Sequence, residues 1–400
     1  MLVAQAAAAW CRWTGLPRPD RDQAAGRGAA ARGGRRAPVT PRVVLAPDSF
    51  KSTLTAARAA EAMAEGFRRV RPDVVTERLP QADGGEGTLD TVLAARTDAA
   101  VRTTTVTLPG GPRTARWLML DDGTAIVELA DCCGLPLIGT ADPAGADSAP
   151  LGTVLREALR ASARRIVVGL GGSASTDGGA GCLRELGLRT TGPDDRDVPP
   201  GGAGLAVVTS VDTTNLLAPP PDGVLLLCDV DAPLFGPRGA AAVFAPQKGA
   251  GPELVRFLDS ALRRWADLAG GAPDAPGAGA AGGIGYGLSS YWRATMTSGA
   301  RYLSELSGLP GRVPGAALVV TGEGRHDEQS YTGKVTGHVV RLAQRHRVPA
   351  AVIAGAVATE RAGVTMVSLT DLAGSEREAM ERPEHHLRRA AERLAAGLTA

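Results

Sequence analysis

Five short strand-like runs in this chain, four of them apolar and one, Val74–Leu79, mixed, each lead into a polar or Gly-rich cluster, and this repeated pairing limits the fold more than any other feature. The runs are Val43–Ala46, Val74–Leu79, Arg165–Leu170, Val224–Cys228 and Leu318–Val320. The clusters are Asp48-Ser49-Phe50-Lys51, Asp83-Gly84-Gly85-Glu86, Gly171-Gly172-Ser173, Asp229-Val230-Asp231 and Gly322-Glu323-Gly324-Arg325. Short runs rich in Val and Leu read as buried strands. Helical stretches lie between them. Thr55 is placed to cap a helix reaching Val70, with Pro72 as its stop. Helical spacing recurs at Leu151–Ala163, Leu254–Leu268, Gly337–Arg345 and Pro383–Leu394, and a further helix runs from the Gly87 loop to Ala95. Such alternation predicts an α/β fold with parallel strands. In open α/β sheets ligands sit beyond the carboxyl ends of the strands, where all five clusters fall.

Further strands are expected at Val101–Thr107, Thr114–Leu120, Ala125–Leu129 and Ala350–Ala354. Thr190–Gly204 and Gly277–Gly287 read as loops from their glycine, proline and aspartate content.

At 400 residues the chain is too long for one core, which suggests two or three domains. Lys+Arg is 44 against Asp+Glu 42, a balance that argues against a nucleic-acid binder relying on a basic face. No apolar run reaches the ~18 residues that a membrane span needs. The five cysteines form no C-x-x-C pair and no zinc-like spacing, which fits thiols in the reducing cytoplasm. Residues 1–38 are rich in Ala, Arg and Gly and hold no serine. No cation precedes the apolar Met1–Cys11, so the stretch makes a poor signal peptide and reads as a disordered extension.

Glycine lets a backbone approach an anion, and helix N-termini present free N–H groups to it. Carboxylates beside phosphates suit Mg²⁺. Two apparent nucleotide motifs are set aside. Gly277-Ala278-Gly279-Ala280-Ala281-Gly282 fits G-x-G-x-x-G, but no strand precedes it. Gly333-Lys334 looks like the end of a Walker A loop, but Glu328 stands where its first glycine belongs.

Taken in order, the clusters resemble the motifs of the type-1 glycerate kinase family. Ala46-Pro47-Asp48-Ser49-Phe50-Lys51 is similar to its opening motif, and Ala82-Asp83-Gly84-Gly85-Glu86-Gly87-Thr88 to its second. Gly169 to Ala174 with Asp177-Gly178-Gly179-Ala180-Gly181 is similar to the third. Cys228-Asp229-Val230-Asp231, Gly236-Pro237-Arg238-Gly239-Ala240 and Pro246-Gln247-Lys248-Gly249-Ala250 continue it. Gly279 to Gly283, then Thr321-Gly322-Glu323-Gly324-Arg325 with Asp327, Gln329 and Gly333-Lys334, complete it. The likeness is collinear from Arg42 to Val357. Departures include Ser52-Thr53 where Gly-Ser is usual and Ala232 where Asn is common; neither removes a charged group.

The resemblance implies a kinase that moves the γ-phosphoryl group of ATP, with Mg²⁺, to a hydroxyl of D-glycerate, the 2-position favoured. A kinase of a related small hydroxy acid is the alternative. It also implies a discontinuous Rossmann-like domain, here residues 39–125 and 316–400, with a second α/β domain inserted at 126–315 and the active site between them. No nucleic-acid or membrane partner is expected, and a homodimer is left open.

Phosphoryl transfer depends on positioning and charge neutralisation. Lys51 and Arg325 are the candidate cations for glycerate or the moving phosphate, with Glu323 and Asp327 flanking Arg325 to orient it. Asp48, Asp83 and Asp229 are candidates for Mg²⁺ or the general base, and Asp231 joins Asp229 as a possible ligand. Ser49, Gly84, Gly85, Glu86, Gly171, Gly172, Ser173, Gln247, Lys248, Gly322, Gly324 and Lys334 are candidates for cradling phosphate or substrate. Asp177 is read either as part of that set or as a helix cap.

Overall fold

The structure, a computed structural model, describes residues 40–50, 53–331, 333–359 and 361–398. The segment 1–38 and Lys51 lie outside the described residues. From the amino end the chain forms β1 (Arg42–Leu45), α1 (Ala56–Val70), β2 (Val75–Arg78) and α2 (Thr88–Ala95). Then come β3 (Ala100–Leu108), β4 (Gly111–Met119), β5 (Thr124–Glu128), α3 (Ala149–Arg160), β6 (Arg165–Gly169) and α4 (Ala180–Glu185). They are followed by β7 (Arg189–Thr191), β8 (Ser210–Asp212), β9 (Val224–Leu227), α5 (Pro252–Ala269), α6 (Ala280–Trp292), β10 (Thr295–Thr297) and α7 (Gly299–Leu306). The last elements used below are β11 (Leu318–His326), α8 (Val335–Arg345), β12 (Ala350–Val357), β13 (Val364–Ser368) and α9 (Pro383–Ala396).

The strands make two main sheets. One has the order β13-β12-β11-β1-β2 and is parallel throughout. The other has the order β10-β9-β6-β5-β4-β3, parallel from β10 to β5 and antiparallel through β4 and β3. Alternating residues of one strand feed opposite faces. Val43 and Leu45 pack with Met63, Phe67, Leu387 and Ala391 of α1 and α9, while Val44 packs with Val319, Val339 and Val340 on the α8 side. In the second sheet Ile166 and Val168 meet Leu155, Trp265 and Trp292, whereas Val167 meets Leu89, Val92 and Leu303.

The α/β class holds, but four local expectations change. The chain leaves the first sheet after Arg78, so the β3–β4 hairpin, expected with residues 39–125 of the first domain, hydrogen-bonds into the second sheet through β5. Thr190 and Thr191 are buried rather than in a surface loop, because β7 pairs with β8. Gly277–Gly287 is not a plain loop. Ala281, Gly282 and Gly283 make a left-handed bend, and the helix continues to Trp292 with Ile284, Tyr286, Leu288 and Trp292 buried. Burial there overrides the low helix propensity of glycine. Finally, β11 does not stop at Val320. Thr321 to His326 stay paired with β12, up to His326 opposite Val357.

Thr55 caps α1 as its position suggests, its hydroxyl accepting the Arg58 N–H at 3.3 Å. Replacing Thr55 by Ala is expected to cost about 1 kcal/mol, read as a lower urea midpoint with an unchanged slope.

Candidate active site

The loop after β2 lies at the junction of the two sheets. Asp83 follows a strand of the first sheet, yet its loop rests on the second. The Gly171 N–H donates to the Gly84 carbonyl at 3.0 Å, and the Gly85 N–H donates to Asp83 Oδ1 at 3.1 Å. Gly84 is left-handed (φ 93), and a Cβ there would fall 2.7 Å from that of Leu227. Gly299, the first residue of α7, comes so close that a Cβ on it would sit 2.0 Å from the Asp83 carbonyl oxygen. Only glycine fits either place. Glu128, at the end of β5, accepts from the Gly87 and Leu89 N–H groups (3.3 and 3.0 Å) and fixes the entry to α2.

Asp229 follows β9 and faces this loop. Its Oδ2 accepts the Ala300 N–H at 3.2 Å. Burial pushes its carboxyl up to about 6; the Ser298 hydroxyl and the Ala300 amide offset part of that, and the charge of Asp83 adds to it. Asp229 opens into a cavity of about 800 Å³, whose walls include Asp231, Ser298, Arg301, His338 and Arg341. The segment after β9, β10 and the start of α7 supply part of its lining, and α8, packed on the first sheet, supplies another part. A largely buried carboxylate with a second acid beside it and open space in front suits Mg²⁺, which binds through one or two carboxylates and keeps waters and phosphate oxygens. Asp83 and Asp229 would hold it, and Asp231 is exposed on the rim.

The segment after β1 and the neighbouring middle of β11 form an adjacent group. The Asp48 N–H donates to the Gly322 carbonyl at 2.8 Å, and Asp48 Oδ1 accepts the Ser49 N–H at 2.6 Å. The Gln81 N–H reaches the Pro47 carbonyl at 2.9 Å, so Asp48 and Asp83 emerge from adjacent strands. Glu323 is buried against His326, with 2.7 Å between Oε1 and Nδ1, while Arg325 between them is exposed. Asp327 is half-buried, its N–H donating to the Ser330 hydroxyl at 3.1 Å. Gly324 is half-buried too, and Lys334 is the residue before the first turn of α8.

Other predicted residues turn inward. Lys248 is 3% exposed and its ammonium donates to the Ser175 carbonyl and to Ser173 Oγ. Burial lowers its pKa to about 8 despite the nearby Asp177. Asp177 is fully buried and accepts from Ser148 N–H and Oγ–H, Gly179 N–H and Gly181 N–H, which places it as a cap at the start of α4. Burial raises its pKa first, and Asp147 adds to this. Glu86, Gln247 and Gly172 are exposed. The structure thus gathers Asp83, Gly84, Gly85, Gly171 and Asp229, sets Asp48, Ser49 and Gly322 in the adjacent group, and packs Ser173, Asp177 and Lys248 inside the second lobe.

Arg301, His338 and Arg341 line the cavity but carry no motif of their own. The one sequence signal was the spacing of Lys334, His338, Arg341 and Arg345 along one face of a helix.

Known proteins resemble the chain over most of its length. The chain is 37% identical over 373 residues to a glycerate kinase of Bacillus subtilis, covering 89% of this chain and 97% of the relative. It is 38% identical over 333 residues to a glycerate 2-kinase of Escherichia coli, covering 81% and 87%. A crystal structure from Salmonella typhimurium, described as that of a glycerate kinase 2, matches with a TM-score of 0.72 at 36% identity, over 90% of this chain and 98% of that one. A profile described as the glycerate kinase family matches residues 43–399, and with these relatives it establishes that the chain belongs to the glycerate kinase family.

Proposed function

We propose that this chain is an ATP-dependent kinase that phosphorylates D-glycerate on its 2-hydroxyl. The observation that carries the reading is that Asp229, whose carboxyl feels the charge of Asp83, opens into a cavity that Arg301 and Arg341 also line. Phosphoryl transfer asks for this combination of acids for a metal, bases for oxyanions, and space for both. The printed name of the Escherichia coli relative supports the 2-position.

In this reading Asp83 and Asp229 would hold Mg²⁺. When bound, the metal neutralises charge on the phosphate oxygens. Asp48, on the strand end beside Asp83, takes the proton of the acceptor hydroxyl. Arg325 and Lys51 meet anionic groups from the first lobe, and the glycines of both lobes let the backbone come close to phosphate. The first sheet, built from both ends of the chain, and the second, inserted between them, form two domains that enclose the substrates.

Phosphorus NMR of the product from ATP and D-glycerate tests this. A 2-phosphoglycerate signal is expected. A 3-phosphoglycerate signal overturns the position, and a hydroxy acid that reacts faster than glycerate in a coupled ADP assay overturns the substrate.

A further inference from the structure

The motif residues account for the acidic lining of the cavity but leave its basic lining unassigned. Three side chains there come from two helices. Arg301 lies in the first turn of α7, and His338 and Arg341 lie one turn apart on α8. The two arginines face the same space as Asp229 and Asp231. Burial, then the charges of Arg341, Arg345 and Arg301, lower the His338 pKa to about 4, and Arg341 is close enough to Asp229 for their charges to interact. His338 Nε2 is enclosed and has no hydrogen-bond partner among the described residues. An enclosed ring nitrogen without a partner costs free energy unless something fills the role. Arg301 is mostly exposed and, among the described residues, has a single ion pair, with Glu305 at 3.6 Å, which is too long and too wet to hold it firmly.

We propose that Arg301, His338 and Arg341 form a subsite for an oxyanion group of one of the two substrates. Guanidinium groups bind carboxylate and phosphate oxygens in the same forked manner, so the chemistry is shared by the phosphate chain of the nucleotide and the carboxylate of the hydroxy acid. The imidazole adds one neutral contact to the two charges. The subsite rests on the kinase reading for the identity of its ligands, but not for its existence.

The test is isothermal titration of the full chain with tripolyphosphate and, separately, with D-glycerate. It is run on wild type, Arg301→Gln, Arg341→Gln and Arg345→Gln. Arg345 sits on α8 and its charge reaches His338 and Arg341, but it is absent from the cavity wall, so its variant is a control for nearby positive charge without a wall contact. Circular dichroism melts check that each variant folds. Arg301→Gln and Arg341→Gln are each expected to weaken one probe about tenfold or more, with Arg345→Gln near wild type. Loss confined to tripolyphosphate assigns the subsite to the nucleotide, and loss confined to D-glycerate assigns it to the acid. Wild-type binding of both probes by both variants, an equal loss in Arg345→Gln, or a wild type that binds neither probe overturns the proposal. A wild type that binds tripolyphosphate through these arginines but does not turn over glycerate keeps the subsite and overturns the substrate instead.

Discussion

Asp229→Asn is expected to lower turnover of D-glycerate with ATP by about 10²- to 10³-fold while leaving the melting temperature nearly unchanged. The amide side chain keeps an oxygen for the Ala300 N–H at the start of α7, so the local packing survives. It cannot carry the negative charge that Asp229 places in the cavity beside Asp83. The Mg²⁺ concentration for half-maximal rate should rise with the loss of turnover. Asp231→Asn, on the exposed rim, should change the rate by less than about tenfold. Steady-state kinetics over a Mg²⁺ series checks both variants. Normal turnover in Asp229→Asn would mean that the cavity is not where the phosphoryl group moves.

The second large effect concerns stability. Glu128 is 4% exposed, and burial raises its carboxyl from 4.5 to about 7, even though the Leu89 and Gly87 amides pull it the other way. The folded protein therefore keeps this proton up to about pH 7, whereas the unfolded chain releases it near 4.5. Between those values folding takes up a proton, so stability is lost as pH rises, by up to about 3 kcal/mol in total. Below 4.5 both states are protonated and the contribution is fully present; above about 7 it is gone. Glu128→Gln has no proton to hold. Urea denaturation of both proteins at pH 5 and pH 8 should show wild type losing about 3 kcal/mol more than the variant across that interval. Parallel changes in the two proteins would show that Glu128 stays ionised throughout.

Much of this was legible because the signals were local. Thr55 and Pro72 bound α1 through cap and ring chemistry that needs no partner, and the apolar runs Val43–Ala46 and Val224–Cys228, short and followed by turn residues, read as buried strands. Where the outcome depended on a distant neighbour, the sequence was silent. β11 runs on through Gly322 and Gly324 only because β12 supplies hydrogen bonds along its whole length. The glycines after Gly277 become part of α6 because Ile284 and Trp292 find a core. The β3–β4 hairpin joins the second sheet because β5 pairs with both β4 and β6.

The site followed the same division. Asp83 and Asp229 were visible as acids at strand ends. Lys248 and Asp177 looked the same in sequence but face inward, where Ser175 and the amides around Gly179 use them up. Arg301 and Arg341 were hidden, since an arginine on a helix looks like ordinary surface until another lobe closes the space before it.

The loop carrying Asp83 meets the second sheet backbone against backbone, with Gly84 under Leu227 and Gly299 over the Asp83 carbonyl. No flexible side chain lies between to absorb sliding. Relative motion of the two sheets therefore has to bend the chain on either side of this seam rather than slip through it, and Asp83 stays tied to the second sheet.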